Sequence, residues 1–180
     1  ECLAGICLSV RKLLAIFVNN GASVGDDWAP LLTCENLAGK SCVASVYTDF
    51  ISNLYSKVFP KINLISHNVC NTFPLCKDVE HEFWVAKLND RLFIIDLSIR
   101  QFINGNLRLK EDERGVIDSL LKNGFVEVDE RVLGIYYRFF YSYSVHRERW
   151  KGSINNYKEW YLYDNKKIPV ISLDTLYHSK

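Results

Sequence analysis

The chain has 180 residues, a hydrophobic fraction of 48% and a formal net charge of +1 at pH 7. This length and composition predict one folded domain with a substantial core and exclude an intrinsically disordered chain. This nearly neutral charge lacks the positive excess that is typical of nucleic-acid-binding proteins, so we expect no nucleic-acid partner. No apolar run approaches the roughly 20 residues that cross a bilayer, so membrane contact is expected only through parts of the protein outside this sequence.

The sequence contains no methionine, even at position 1, so we expect residues 1–180 to be a single domain excised from a longer chain. Its six cysteines could form three disulfides, but there is no CxxC pair and the histidines are not spaced as zinc ligands. We therefore expect no metal and no cofactor, and we expect most cysteines to be small buried hydrophobes.

The first third of the chain is predicted to be mainly helical. Apolar residues recur at helical spacing over Leu3–Val18 and predict a first helix. Glycine, aspartate and proline between residues 21 and 41 favour a loop. A second helix is predicted from Ser41 to Phe59, where Pro60 ends it, followed by a short strand at Ile62–Ile65.

A β-hairpin is predicted over His81–Phe102, because two apolar runs flank an Asn89-Asp90 turn sequence. The continuous apolar run Leu92–Ile95 indicates that the second strand is buried on both faces. This hairpin carries a histidine at its start and an aspartate directly after its second strand.

The position of the turn decides how His81 and Asp96 face each other. A turn at Leu88-Asn89 would place them directly opposite, whereas a turn at Asn89-Asp90 would leave them diagonal neighbours on one face of the sheet. In either register the Asp96 carboxylate can hold the His81 imidazole in one tautomer.

The last third of the chain predicts one more helix and several strands. The predicted elements are a helix over Lys110–Lys122 that stops at Gly124, a strand at Phe125–Val128, strands at Val132–Val145 and Tyr157–Tyr163, and a partly ordered tail at Pro169–Tyr177. Helices first and a mostly antiparallel sheet second predict an α+β fold.

Cys42 is the leading candidate for a nucleophile. It begins the predicted second helix directly after Gly39-Lys40-Ser41, where the backbone amides and the helix dipole stabilise a thiolate. With His81 as base and Asp96 behind it, a nucleophilic triad is complete, and the first-turn amides can serve as oxyanion donors.

The other cysteines and histidines are weaker candidates for the site. Cys34 is a competing nucleophile in a looser context, and Cys7 is expected to pack in the middle of the first helix. His67, His146 and His178 occur in turn-like or tail contexts and are expected to be incidental. Trp84, beside His81, is interpreted either as a wall of the cleft or as a core residue.

The order and spacing of Cys42, His81 in HEFWV, Asp96 in IIDLS and Gln101 in IRQF resemble the cysteine-dependent glutamine deamidase domains of bacterial toxins and effectors. That family belongs to the papain- and transglutaminase-like superfamily, so the resemblance implies a papain-like α+β fold with N-terminal helices on a mostly antiparallel sheet. It covers about residues 39–102. In that family a glutamine shortly after the aspartate lies near the active site, which implies a supporting role for Gln101.

The resemblance implies a secreted bacterial virulence protein whose catalytic domain acts in the host-cell cytoplasm. The implied reaction converts a glutamine side chain of a host protein into glutamate and ammonia. In the Pasteurella toxin branch of the family the substrate is the α subunit of heterotrimeric G proteins, which makes such a subunit the leading expectation for the partner here.

Other reactions use the same triad, so a cysteine protease, a transglutaminase and an acyltransferase stay open. Arylamine acyltransferases resemble this chain in their triad but have an arginine-glycine-glycine lead into the cysteine, in place of Ala38-Gly39-Lys40-Ser41 here. A non-enzymatic host-binding module is the alternative of a different class, and it predicts that Cys42 is dispensable.

Overall fold

The structure is a computed structural model that describes residues 3–5, 7–9, 63–97, 99–102, 106–109, 111–149, 159–161 and 170–177. Residues 3–5 and 7–9 are helical, in keeping with the start of the predicted first helix. The rest of that helix, the loop at residues 21–41 and the helix at Ser41–Phe59 lie outside the described residues. Among the described helices, none has the length and apolar character to span a membrane.

A four-stranded antiparallel sheet forms the frame of the described chain. Its strands are β1 (Asn63–Asn68), β2 (Glu82–Leu88), β3 (Arg91–Ile95) and β5 (Phe125–Val128), and they lie side by side in the order β1-β2-β3-β5. Strands β4 (Asn106–Arg108) and β6 (Glu159–Tyr161) pair in parallel as a separate sheet. Strand β6 lies within the strand predicted at Tyr157–Tyr163, whereas β1 begins and ends later than the predicted Ile62–Ile65.

The helices connect and cover these strands. They are α1 (Val69–Thr72), α2 (Glu111–Asn123) and α3 (Glu130–Arg149), with 3₁₀-helices at Ile99–Phe102 and Leu173–Leu176. Helix α2 ends at Asn123 and is followed by Gly124, whose φ of 81° is left-handed and whose N–H donates to the Leu120 carbonyl. Both the stop at Gly124 and the α+β class are confirmed.

The hairpin forms with its turn at Asn89-Asp90. Both turn residues have positive φ, 47° and 62°, and Leu88 pairs with Arg91 across the turn. This is the type I′ geometry that matches the right-handed twist of two strands, and asparagine and aspartate tolerate it well. Of the two registers that the sequence allowed, the structure therefore has the one in which His81 and Asp96 are diagonal neighbours.

Helix α3 corrects the prediction of a strand at Val132–Val145. Its aromatic and β-branched residues have strand propensity, but the helix is buried on nearly all sides, with no exposed residue between positions 132 and 145. Asp129 caps the helix, because its Oδ1 accepts from the Val132 N–H at 2.7 Å. Burial on nearly all sides and a good N-cap outweigh the local propensity.

The main core lies between one face of the sheet and helices α2 and α3. Phe73 is sandwiched there, with its ring stacked on Phe83 of β2 and on Tyr137 of α3 at centroid distances of 5.9 and 4.7 Å. Val85, Ile94, Ile117 and Leu133 join this core. Trp84, Ala86 and Ile95 are buried on the opposite face, so β3 is covered on both faces and Trp84 is a packing residue turned away from Phe83.

His67 is buried in a strand, which corrects the expectation of a turn-like context for it. It lies in β1, its ring stacks on Phe83 at 5.4 Å, and its Nε2 is 3.2 Å from the carbonyl oxygen of Leu176 in the C-terminal 3₁₀-helix. Burial lowers the pKa of His67, and the hydrogen bond to Leu176 opposes that shift. This histidine joins the C-terminal segment to the sheet.

The turn geometry predicts different effects on stability for two substitutions of Asp90, whose side chain is 97% exposed. Asp90→Val places a β-branched residue at a φ of 62° and should destabilise the fold by about 1 kcal/mol or more. Asp90→Gly removes that strain and should leave stability unchanged or slightly raised. Urea unfolding of both variants checks this, and equal stability of the two would contradict the turn assignment.

The buried His67 predicts a loss of stability in mild acid. Its pKa is lower in the folded chain than in the unfolded chain, so its contribution is complete above about pH 6.5 and is lost as pH falls from there toward the folded value. His67→Phe retains a ring on Phe83 but cannot titrate. Urea unfolding at several pH values should give a shallower decline below about pH 6.5 for this variant, and identical slopes would refute the assignment.

Candidate active site

His81 and Asp96 flank the hairpin, one residue before β2 and one residue after β3. The register, in which Trp84 pairs with Ile95, leaves the two residues two positions out of direct opposition. Across that diagonal the Nε2 atom of His81 lies 2.8 Å from Oδ2 of Asp96, which is the distance of a charge-assisted hydrogen bond. The structure thus brings together two of the four predicted site residues.

Backbone hydrogen bonds outside the hairpin hold both residues in place. The carbonyl of His81 accepts from the Val69 N–H at 2.8 Å, which fastens it to the start of α1. The N–H of Asp96 donates to the carbonyl of Gly124 at 2.8 Å, at the bend between α2 and β5. Each member of the pair is therefore anchored to an element beyond its own strand.

The pair is enclosed, since both side chains are 0% exposed. Removing a carboxylate from water is costly unless hydrogen-bond donors replace the lost hydration. Tyr136 of α3 supplies a second donor: its hydroxyl donates to the same Oδ2 of Asp96 at 2.8 Å. Two donors on one oxygen compensate part of the cost of burial.

Tyr136 keeps its proton. Burial raises the pKa of Tyr136 well above its usual value, and the negative charge of Asp96 and the hydrogen bond to it raise that pKa further. An ionised carboxylate can only accept, so the hydroxyl acts as the donor in this contact.

Two phenylalanines enclose the His81 ring. The ring of Phe102 meets it at 4.8 Å and 80°, and the ring of Phe140 meets it at 5.2 Å and 32°. Phe102 ends the 3₁₀-helix that follows the hairpin, and Phe140 lies one turn beyond Tyr136 in α3. These contacts restrict rotation of the imidazole and exclude water from its faces.

The structure describes the backbone of Gln101 but does not describe Cys42. The backbone of Gln101 belongs to the 3₁₀-helix Ile99–Phe102, directly before the phenylalanine that contacts His81. Cys42 and the competing Cys34 lie outside the described residues. The triad as predicted therefore has its imidazole and its carboxylate in contact, and its thiol is not described.

Cys76 is not suited to nucleophilic attack. It is fully buried, and burial raises the pKa of its thiol to about 12. Cys7 is also buried, as expected, and the Sγ of Cys70 lies 2.9 Å from Oδ1 of Asn68. Cys70 and Cys76 are free thiols.

Sequence reasoning missed Tyr136, Phe102 and Phe140. The signal for two of them was present, because Tyr136 and Phe140 are four residues apart within an aromatic segment of helical period. Because that segment was interpreted as a strand, Tyr136 and Phe140 were not recognised as neighbours on one face of a helix.

Among the described residues, no group of three or more histidine, cysteine, aspartate or glutamate side chains is arranged to hold a metal ion.

No protein-family model, no curated protein and no solved structure matches this chain.

Removal of the Asp96 carboxylate should destabilise the fold strongly. Asp96→Ala leaves the Nε2 of His81 and the hydroxyl of Tyr136 without this shared acceptor in a buried site, at a cost of about 3 kcal/mol. Urea unfolding checks this cost. Glu127→Ala is the matched control, because it removes a carboxylate from a solvent-exposed ion pair with Arg91 and should have a much smaller effect. Equal losses in the two variants would contradict the role of Asp96.

Proposed function

We propose that this chain is the catalytic domain of a secreted bacterial toxin or effector that deamidates a glutamine side chain of a protein in the host-cell cytoplasm. Cys42 is the nucleophile, His81 the base and Asp96 the residue that orients the imidazole. A G-protein α subunit is the leading candidate for the substrate, and a papain- or transglutaminase-like fold is proposed for the complete domain.

The observation that carries the proposal is the 2.8 Å contact between Nε2 of His81 and Oδ2 of Asp96. An Asp96 carboxylate favours the tautomer that donates from Nε2, and in that tautomer the lone pair is on Nδ1. Nδ1 is then the atom that takes the proton of the Cys42 thiol. The buried aromatic surroundings strengthen this electrostatic coupling, because water does not screen it.

The proposed reaction has two halves. The thiolate of Cys42 attacks the carboxamide carbon, and the imidazolium of His81 protonates the nitrogen, which leaves as ammonia. Water then attacks the thioester and gives a proton to His81, and the thiol is regenerated beside a glutamate. One amide and one water are converted into one carboxylic acid and one ammonia.

Gln101 is proposed to support the site. Two observations support this: Gln101 directly precedes Phe102 in the 3₁₀-helix, and the Phe102 ring contacts the His81 ring at 4.8 Å. The resemblance described above gives the glutamine of this motif the same neighbourhood.

A non-enzymatic host-binding module is the second candidate, and the complete burial of the dyad favours it. In that case His81, Asp96 and Tyr136 form a polar network that serves only the fold. The two candidates differ in the importance of Cys42, which matters only to the enzyme.

We expect expression of the wild-type chain in host cells to convert at least one host glutamine to glutamate. Cys42→Ala and His81→Ala should lower the rate at least about a thousandfold, since both groups act in the same chemical step. Peptide mass spectrometry detects the conversion. Cys70→Ala is the matched control, because it removes a half-buried free thiol outside the dyad and should retain full activity.

The same experiment separates the alternatives. Conversion of a protein other than a G-protein α subunit would replace the substrate assignment. Amine cross-links, cleaved peptides or acylated amines that depend on Cys42 would indicate a transglutaminase, a protease or an acyltransferase. Identical peptide profiles for the wild type and Cys42→Ala would refute the enzyme and favour the binding module.

A further inference from the structure

Tyr136 approaches the dyad from an element that carries none of the predicted site residues. Its hydroxyl in α3 donates to Oδ2 of Asp96 at 2.8 Å, and the same oxygen lies 2.8 Å from Nε2 of His81. Asp96 and Tyr136 are 40 positions apart in the chain. A single carboxylate oxygen therefore receives one contact from the hairpin and one from the long helix.

We infer that Tyr136 is a positioning residue of the dyad, whose hydroxyl holds the Asp96 carboxylate in the orientation that accepts from Nε2 of His81. By fixing the carboxylate, Tyr136 also fixes the imidazole tautomer with its lone pair on Nδ1. The inference rests on the proposed function only for the catalytic use of that tautomer.

The hydroxyl of Tyr136 is a rigid donor. Its ring meets Phe73, Phe83 and Phe140 edge-on at centroid distances of 6.1, 5.2 and 5.0 Å. Phe140 also contacts the His81 ring, so the same helix face positions both the phenol and one wall of the imidazole. A carboxylate can rotate about its Cβ–Cγ bond, and a fixed second donor restricts that rotation.

Tyr137 provides a matched control for the hydroxyl. It is the next residue of α3, it is also buried, and its hydroxyl accepts from the Leu75 N–H at 3.2 Å, outside the dyad. Tyr136→Phe and Tyr137→Phe thus remove the same atom from neighbouring buried tyrosines. Any difference between them at His81 reports the contact with Asp96 and not a general loss of packing.

Nitrogen NMR of the full chain with ¹⁵N-labelled histidine tests the inference, since it distinguishes the two imidazole tautomers. We expect wild-type His81 to carry its proton on Nε2 and to show a slowly exchanging N–H signal. In Tyr136→Phe that signal should exchange at least about tenfold faster, the size expected for the loss of one hydrogen bond to a charged group, and the Nδ1–H tautomer should appear. Tyr137→Phe should retain the wild-type signal.

Three results would overturn the inference. One is the wild-type tautomer and exchange rate in Tyr136→Phe. The other two need no variant and apply even if Tyr136→Phe does not fold: a wild-type His81 protonated on Nδ1, and a Tyr136 hydroxyl proton in rapid exchange with water.

The rate of Cys42 alkylation by iodoacetamide, read by peptide mapping, separates this inference from the proposed function. If His81 activates Cys42, Tyr136→Phe should slow alkylation about tenfold, while Tyr137→Phe should not. A tautomer change in Tyr136→Phe together with alkylation that is unaffected by His81→Ala would uphold the positioning role and refute the triad. An unchanged tautomer together with His81-dependent alkylation would uphold the triad and refute the positioning role.

Discussion

The buried carboxylate of Asp96 joins the hairpin to helix α3, because residues from both elements contact it. It is buried, and a buried carboxylate is tolerated only where donors replace its lost hydration. His81 and Tyr136 supply contacts of 2.8 Å each to one of its oxygens. Because these residues belong to the hairpin and to α3, the sheet and the long helix cannot shift relative to each other without breaking this arrangement.

The sequence predicted the local half of this arrangement. A turn at Asn89-Asp90 requires positive φ at two positions, and those two residue types tolerate it, so the hairpin and the proximity of His81 to Asp96 follow from a short stretch of chain. Gly124 likewise has the left-handed φ that a helix end needs.

The other half depends on contacts between buried residues that are far apart in the chain. Local propensity favours a strand for the aromatic segment that forms α3, and packing against the sheet together with the Asp129 N-cap selects the helix. Tyr136 contacts a carboxylate 40 positions away, and no local pattern encodes such a contact. His67 was misread for the same reason, since its acceptor on Leu176 is 109 positions away.

Residues that contact each other in the site lie far apart in the chain, and this affects the order in which the site assembles during synthesis. A nascent chain that has emerged as far as Asp96 already holds every member of the proposed triad. The second donor to that carboxylate lies 40 residues later, so it reaches the ribosome exit only after those residues have been added. The full set of contacts to Asp96 therefore forms only after the long helix has emerged and packed against the sheet.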